Sequence, residues 1–264
     1  MNIFVQELRA NLKSLLIWGV IVVLFIALGS SKFSAYAGNP EMLAILGSMP
    51  QALLDAFNMR AFNLTTITGF FGVMFTYFAL ILSIAAAMWG SDIISKEERD
   101  KTAEFILTLP VTRSRLVTAK TLAALVNCIG LLFITWGASL VSAASYHPDS
   151  TFYHFLRLCM LALFIIQLTF LAIGIFLGCA LKRYKLANSV AVSLLLGTYF
   201  LSIISSLDKD LEFLKYLSPF KYFDASVLLF ESRIDPFSVG LSLAIILLCM
   251  VGAYLTYTRK DLYI

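Results

Sequence analysis

The residues with the means to do chemistry gather in one stretch, 90–120, which reads GSDIISKEERDKTAEFILTLPVTRSRLVTAK. It is the one long polar interruption between two very apolar segments, so its charges must sit in water or against a protein partner. Glu97, Glu98, Arg99 and Glu104 are available there for polar contacts with another chain. Ser95 with Glu98 three residues on is a capping-box pattern and predicts a short helix over 96–101. Thr102 can cap a second turn over 103–108, whose Phe105, Ile106 and Leu109 form an apolar knob. Pro110 lacks an N–H and disfavours helix at Leu109, so it ends that turn. Thr112 then restarts a helix that enters the membrane through Arg113, Arg115 and Lys120. The pattern is a bent lever of helix, knob, break and helix. A charged loop that merely orients the chain in the bilayer is the plainer reading of the same residues.

Other chemistries lack their residues. No GxxxxGK[ST] phosphate loop occurs, so the chain is not expected to bind ATP itself. His147 and His154 are the only histidines, and HExxH is absent, which leaves a zinc protease without ligands. An intramembrane serine hydrolase would need a base near a serine, and the apolar runs supply none. Cys128, Cys159, Cys179 and Cys249 all fall in apolar segments without CxxC spacing and read as small core residues. A formal charge of +4 gives no reason to expect a nucleic-acid partner. No metal is expected. Glu7 ahead of a long apolar run, with no convincing cleavage site after it, argues against a cleavable signal.

Around the polar stretch the chain is 60% hydrophobic and 14% charged, far from the roughly 25% charged of soluble domains. It reads as an all-α integral membrane protein, a single transmembrane domain over 1–264. Six apolar runs reach the roughly 20 residues a bilayer requires, near 14–31, 65–90, 115–145, 155–181, 187–207 and 237–258. Ahead of them, Phe4, Leu8 and Leu12 recur opposite Gln6, Arg9 and Lys13, predicting an N-terminal interfacial helix over 2–13. The alternative is that 2–13 simply begin the first span. Residues 32–64 and 208–237 are too apolar for plain loops, and each is read as two short helices broken at Gly or Pro.

Lys and Arg set the orientation. With the N-terminus inside, Arg9, Lys13, Lys96, Arg99, Lys101, Arg113, Arg115, Lys120, Lys182, Arg183, Lys185, Arg259 and Lys260 are cytoplasmic. That is thirteen of the chain's 20, and it predicts both termini in the cytoplasm. Within the spans, Asn127, Gln167 and Asn188 are read as hydrogen bonding between helices, and Gly174 with Gly178 as a close-approach GxxxG. That motif leaves open packing inside one subunit or between two.

Three motifs in order resemble the permeases of ABC-2-type transporters. The first is carried by Glu97, Glu98, Arg99, Thr102, Glu104, Leu107, Pro110, Val111, Arg113 and Lys120, and is similar to that family's loop between spans two and three. The second is Leu217-Ser218-Pro219-Phe220 with Lys221-Tyr222-Phe223, and the third Arg259-Lys260-Asp261-Leu262. With the layout of spans, the likeness covers essentially the whole chain. It implies a cytoplasmic coupling helix between spans two and three that docks on a separate ABC ATPase. The implied coupling residues are Glu97, Glu98, Arg99, Thr102, Glu104, Phe105, Leu107, Pro110 and Arg113. It also implies an interfacial N-terminal helix touching the ATPase and short re-entrant helices before span six. Two permease subunits, identical or paralogous, would form the pathway in the plasma membrane with two ATPase copies. The ATP-Mg cofactor would belong to the ATPase, and this chain would not be an enzyme. The charge-poor spans favour export of a hydrophobic or amphipathic cargo such as a peptide, antibiotic or lipid-like molecule; which residues bind it is not legible. A non-transporting sensor or assembly subunit, or a secondary transporter with as many spans, are the rival readings.

Overall fold

The computed structural model describes residues 3–37, 39, 48–51, 54, 59, 61–99, 112–181, 183–207 and 209–259. Six of its helices are long and apolar enough to cross a membrane. They are α1 (Ile3–Tyr36), α2 (Ile67–Arg99), α3 (Arg113–Ala144), α4 (Ser150–Ala180), α5 (Tyr184–Leu207) and, after a short α6 (Ala225–Phe230), α7 (Pro236–Arg259). Among the described residues there is no strand. The expected all-α architecture and span layout hold, with boundaries shifted by a few residues.

Two of these helices overshoot the bilayer. At 1.5 Å per residue, 34 residues in α1 and 33 in α2 reach about 50 Å each, against roughly 30 Å of hydrocarbon. Residues 3–13 are the first turns of α1 and not a separate element, because nothing in LRANLKSLL breaks a helix: it holds no Gly or Pro, and Leu, Ala and Lys favour the conformation. The last turns of α2 likewise leave the apolar span, which closes at Asp92.

The core forms around α2 and α4. Phe71 of α2 meets Phe152 and Phe155 of α4 edge-on, at 5.6 and 6.5 Å between ring centres. At the opposite end the backbones themselves touch. A Cβ on Gly90 would stand 2.5 Å from the Leu171 carbonyl oxygen, and one on Gly174 would stand 2.5 Å from that of Ala87. Gly178 abuts Ser91 in the same way, so the GxxxG packs within this subunit. α1 lies along α3: Ser30 and Ser142 share a hydrogen bond, and the Tyr146 hydroxyl donates to the Ser30 carbonyl at 3.1 Å.

The polar residues of the spans divide. Asn188 behaves as expected, its Oδ1 accepting from Ser91 Oγ at 3.4 Å. Asn127 Nδ2 and both amide atoms of Gln167 are buried without a partner among the described residues, contrary to expectation. Side chains held between closely packed helices cannot always swing to a neighbour. None of the four cysteines forms a disulfide; Cys128, Cys159 and Cys179 are buried and Cys249 is partly buried.

At one end of the bundle, a 3₁₀ segment (Lys209–Leu217), a second short one (Pro219–Lys221) and α6 make a cap over α4 and α5. Ser218, fully buried, donates from Oγ to the Thr198 carbonyl at 2.7 Å. Phe220 inserts between Phe170 (5.0 Å) and Tyr199 (5.4 Å). Leu-Ser-Pro-Phe is thus a docking motif: one hydroxyl anchor, a Pro that starts a new turn, and one aromatic plug. Asp224 caps α6 through Ser226 and pairs with Lys221 at 3.2 Å. Burial alone would raise its pKa, but the Lys221 charge and the Ser226 bonds outweigh burial and hold the carboxyl below its usual range. Its contribution is therefore present above the ordinary carboxylate range and lost only as pH falls through that lowered value. The two short helices expected over 32–64 fall largely outside the described residues.

Candidate functional site

The lever read from the sequence is bracketed by two helix ends. α2 runs unbroken to Arg99, with Glu97, Glu98 and Arg99 in its final turn. The capping box at Ser95 does not form. Ser95 lies inside the helix, its hydroxyl donating back to the Ser91 carbonyl. A helix continuing out of a span already gives these N–H groups their i−4 carbonyls, so no orphan donor remains to be capped. The restart at Thr112 does form: its backbone is extended (φ −69°, ψ 148°) and its Oγ1 accepts from the Arg115 N–H at 3.4 Å. Between these feet, Thr102, Glu104, Phe105, Leu107 and Pro110 lie outside the described residues, as do the knob at 103–108 and the break.

What the structure does describe is the footing. Glu7 of α1, 6% exposed, spends its two carboxylate oxygens on two different helices. Oε2 accepts from Lys96 Nζ of α2, and Oε1 accepts from Lys120 Nζ of α3 at 3.0 Å. Lys120 is 1% exposed. About two turns deeper, Trp89 Nε1 of α2 donates to Ser14 Oγ of α1 at 2.8 Å. On the other flank of α3, Arg113 Nη1 donates to the carbonyls of Tyr257 and Thr258 at 3.4 and 3.3 Å. Those are carbonyls of the last turn of α7, where a cation is favoured by the helix dipole. Thr118 and the Tyr254 hydroxyl share a hydrogen bond at 2.7 Å. The foot of α3 is therefore tied to α1 on one side and α7 on the other.

Of the sequence-predicted residues, Arg113 is thus placed in a bonded position, and Glu97, Glu98 and Arg99 have only their backbone described. Glu7 and Lys96 were missed as a pair. Only Glu7 itself carried a signal, sitting one position before Leu8 and three after Phe4 as an acid on the apolar face of an amphipathic turn. Breaking such a buried cluster by removing its shared carboxylate leaves a desolvated charge behind, worth about 3–5 kcal/mol. Glu7→Ala should show that loss in detergent unfolding. Glu231→Ala should cost below about 1 kcal/mol, since its pair with Arg233 (2.6 Å) is solvent-exposed.

A family model described as ABC-2 family transporter protein matches residues 1–262. The chain belongs to that family. As an ABC-2 permease it is a multi-pass membrane component of an ABC transporter, a class that works with an ATPase subunit. No curated protein matches it. The match extends over all six apolar spans and the segments between them. In the permease, α2 and α3 are consecutive spans, joined along the chain through residues 100–112.

Proposed function

We propose that this chain is the permease subunit of an ABC-2-type exporter that couples ATP hydrolysis by a separate ATPase to export of a hydrophobic or amphipathic cargo. The observation that carries the reading is the family match over 1–262; on this reading the charged 97–113 segment, between two consecutive spans, is the handle on the ATPase. Glu97, Glu98, Arg99, Thr102, Glu104, Phe105, Leu107, Pro110 and Arg113 form that handle. Two permease subunits and two ATPase copies assemble, and ATP-Mg binds on the ATPases. The helix ends on either side of 100–111 are anchored to α1 and α7, which is what a lever needs if force on it is to reach the spans. A bundle of apolar helices with two packings suffices for alternating access; charge in mid-membrane is not required.

The direct test is purification of the permease with its ATPase, followed by ATP turnover of each part. The complex should hydrolyse ATP, and the permease alone should not. Turnover by the isolated chain that is lost on mutating one of its own residues would sink the reading. Topology is checked separately by labelling single cysteines from outside intact cells. Labels should reach positions 149 and 209 and fail at 101, because both termini and 97–113 face the cytoplasm. The reversed pattern would overturn orientation and handle together.

A further inference from the structure

We infer that Glu7 is a positioning residue that locks α1 to both feet of the coupling segment, so that displacement of the segment is carried into the first span. The inference rests on the permease reading above, and adds α1 to the moving part. Its basis is the division of one carboxylate between two helices: Oε2 holds Lys96, three residues before α2 ends at Arg99, and Oε1 holds Lys120, eight residues after the Thr112 cap. Along the chain one lysine precedes residues 100–111 and the other follows them, and Glu7 joins the two.

Strength alone does not call for charge here. Apolar side chains of similar volume would hold three packed helices at least as well, because desolvating the ions consumes most of their attraction. An ionic joint adds register instead: Glu7 is satisfied only when Lys96 and Lys120 are both within reach, so the three helix ends have one preferred arrangement. Trp89 and Ser14 fix the same pair, α1 and α2, at a second height, which turns a point contact into a hinge-free splint. Beyond it, α1 continues unbroken to Tyr36 with no proline, so motion imposed at Glu7 travels its length as a rod.

The test uses the whole permease–ATPase complex in lipid nanodiscs, with spin labels at Ala10 on α1 and Ser114 on α3, both exposed. Distances are compared without nucleotide and after trapping with ATP and orthovanadate. In the wild type the Ala10–Ser114 distance should be the same in both states. In Glu7→Gln it should become nucleotide-dependent while the ATPase still co-purifies. The charge inversion Glu7→Lys with Lys96→Glu and Lys120→Glu should restore a constant distance, and it serves as the deciding variant if Glu7→Gln does not accumulate. A Glu7→Gln distance as constant as the wild type's, a wild-type distance that shifts on trapping, or an assembled inversion variant that stays nucleotide-dependent would each overturn the joint. Failure of the wild-type permease to bind any ATPase is a separate readout, and it defeats the exporter reading rather than the joint.

Discussion

Gly174→Leu is expected to leave no folded permease in the membrane. The reason is backbone proximity: even the first side-chain carbon at this position would stand 2.5 Å from the Ala87 carbonyl oxygen and 3.1 Å from the Ser91 nitrogen. Those atoms belong to the α2 backbone and have no rotamer to give. Gly90 makes the reciprocal demand on Leu171 and Ile175, so the two helices are keyed together from both sides. Gly174→Ala already forces them apart, with an overpacking cost of about 1–3 kcal/mol, and a leucine needs several further ångströms that the surrounding core cannot yield. Gly137 and Gly197 are the controls, since nothing lies within 4 Å of a Cβ there. Alanine at either should be neutral, or stabilising by up to about 1 kcal/mol through its higher helix propensity. Expression yield and detergent unfolding midpoints read both sets. Wild-type yield and midpoint in Gly174→Leu would show that α2 and α4 do not meet at this face.

That result would also bear on how much the sequence tells. The six spans were legible because length and apolarity alone decide them in a bilayer. Thr112 was legible as a cap because it follows a Pro-containing break and precedes an uninterrupted helical run. Leu217-Ser218-Pro219-Phe220 could be seen as a unit, although only the structure shows Ser218 anchoring on Thr198 and Phe220 plugging the gap beside Phe170. Ser95 misled for a specific reason. Its spacing to Glu98 is that of a helix start, but local grammar yields when a helix already propagates through the site from a long span. The division of residues 2–13 from the first span failed likewise, since a change of polarity along a helix does not break it. The Glu7 cluster was out of reach for another cause: Glu7, Lys96 and Lys120 are separated by 89 and 113 positions, and a single sequence does not report which helices neighbour which. Gln167 shows the limit from the other side, as its type suggested a bonded partner that the packing does not supply.

Leu107→Asp is expected to abolish transport and to release the ATPase, while the permease itself still inserts. In the proposed handle Phe105, Leu107 and Leu109 fill an apolar groove on the ATPase, and Glu98, Arg99 and Glu104 make polar contacts around it. An apolar side chain fully buried there contributes roughly 1.5–3 kcal/mol, whereas an exposed ion pair at the rim contributes less than about 1 kcal/mol. Aspartate at 107 loses the first term and adds the cost of desolvating a charge, so affinity should fall by at least 10-fold, at about 1.4 kcal/mol per factor of ten. Glu98→Gln or Arg99→Gln should weaken coupling more mildly. The change alters no residue of the described helices, of the Gly90–Gly174 contact or of the Glu7 cluster. That separates it from Gly174→Leu, which removes the protein, and from Glu7→Gln, which keeps the ATPase bound. Lys209→Asp, at the opposite end of the bundle, is the matched charge control and should assemble normally. The measurement is ATPase co-purification beside ATP-dependent transport of a panel of membrane-active peptides and drugs in proteoliposomes. Wild-type assembly and transport in Leu107→Asp would mean that 97–113 is only a charged loop, and the assignment of the handle would fall with it.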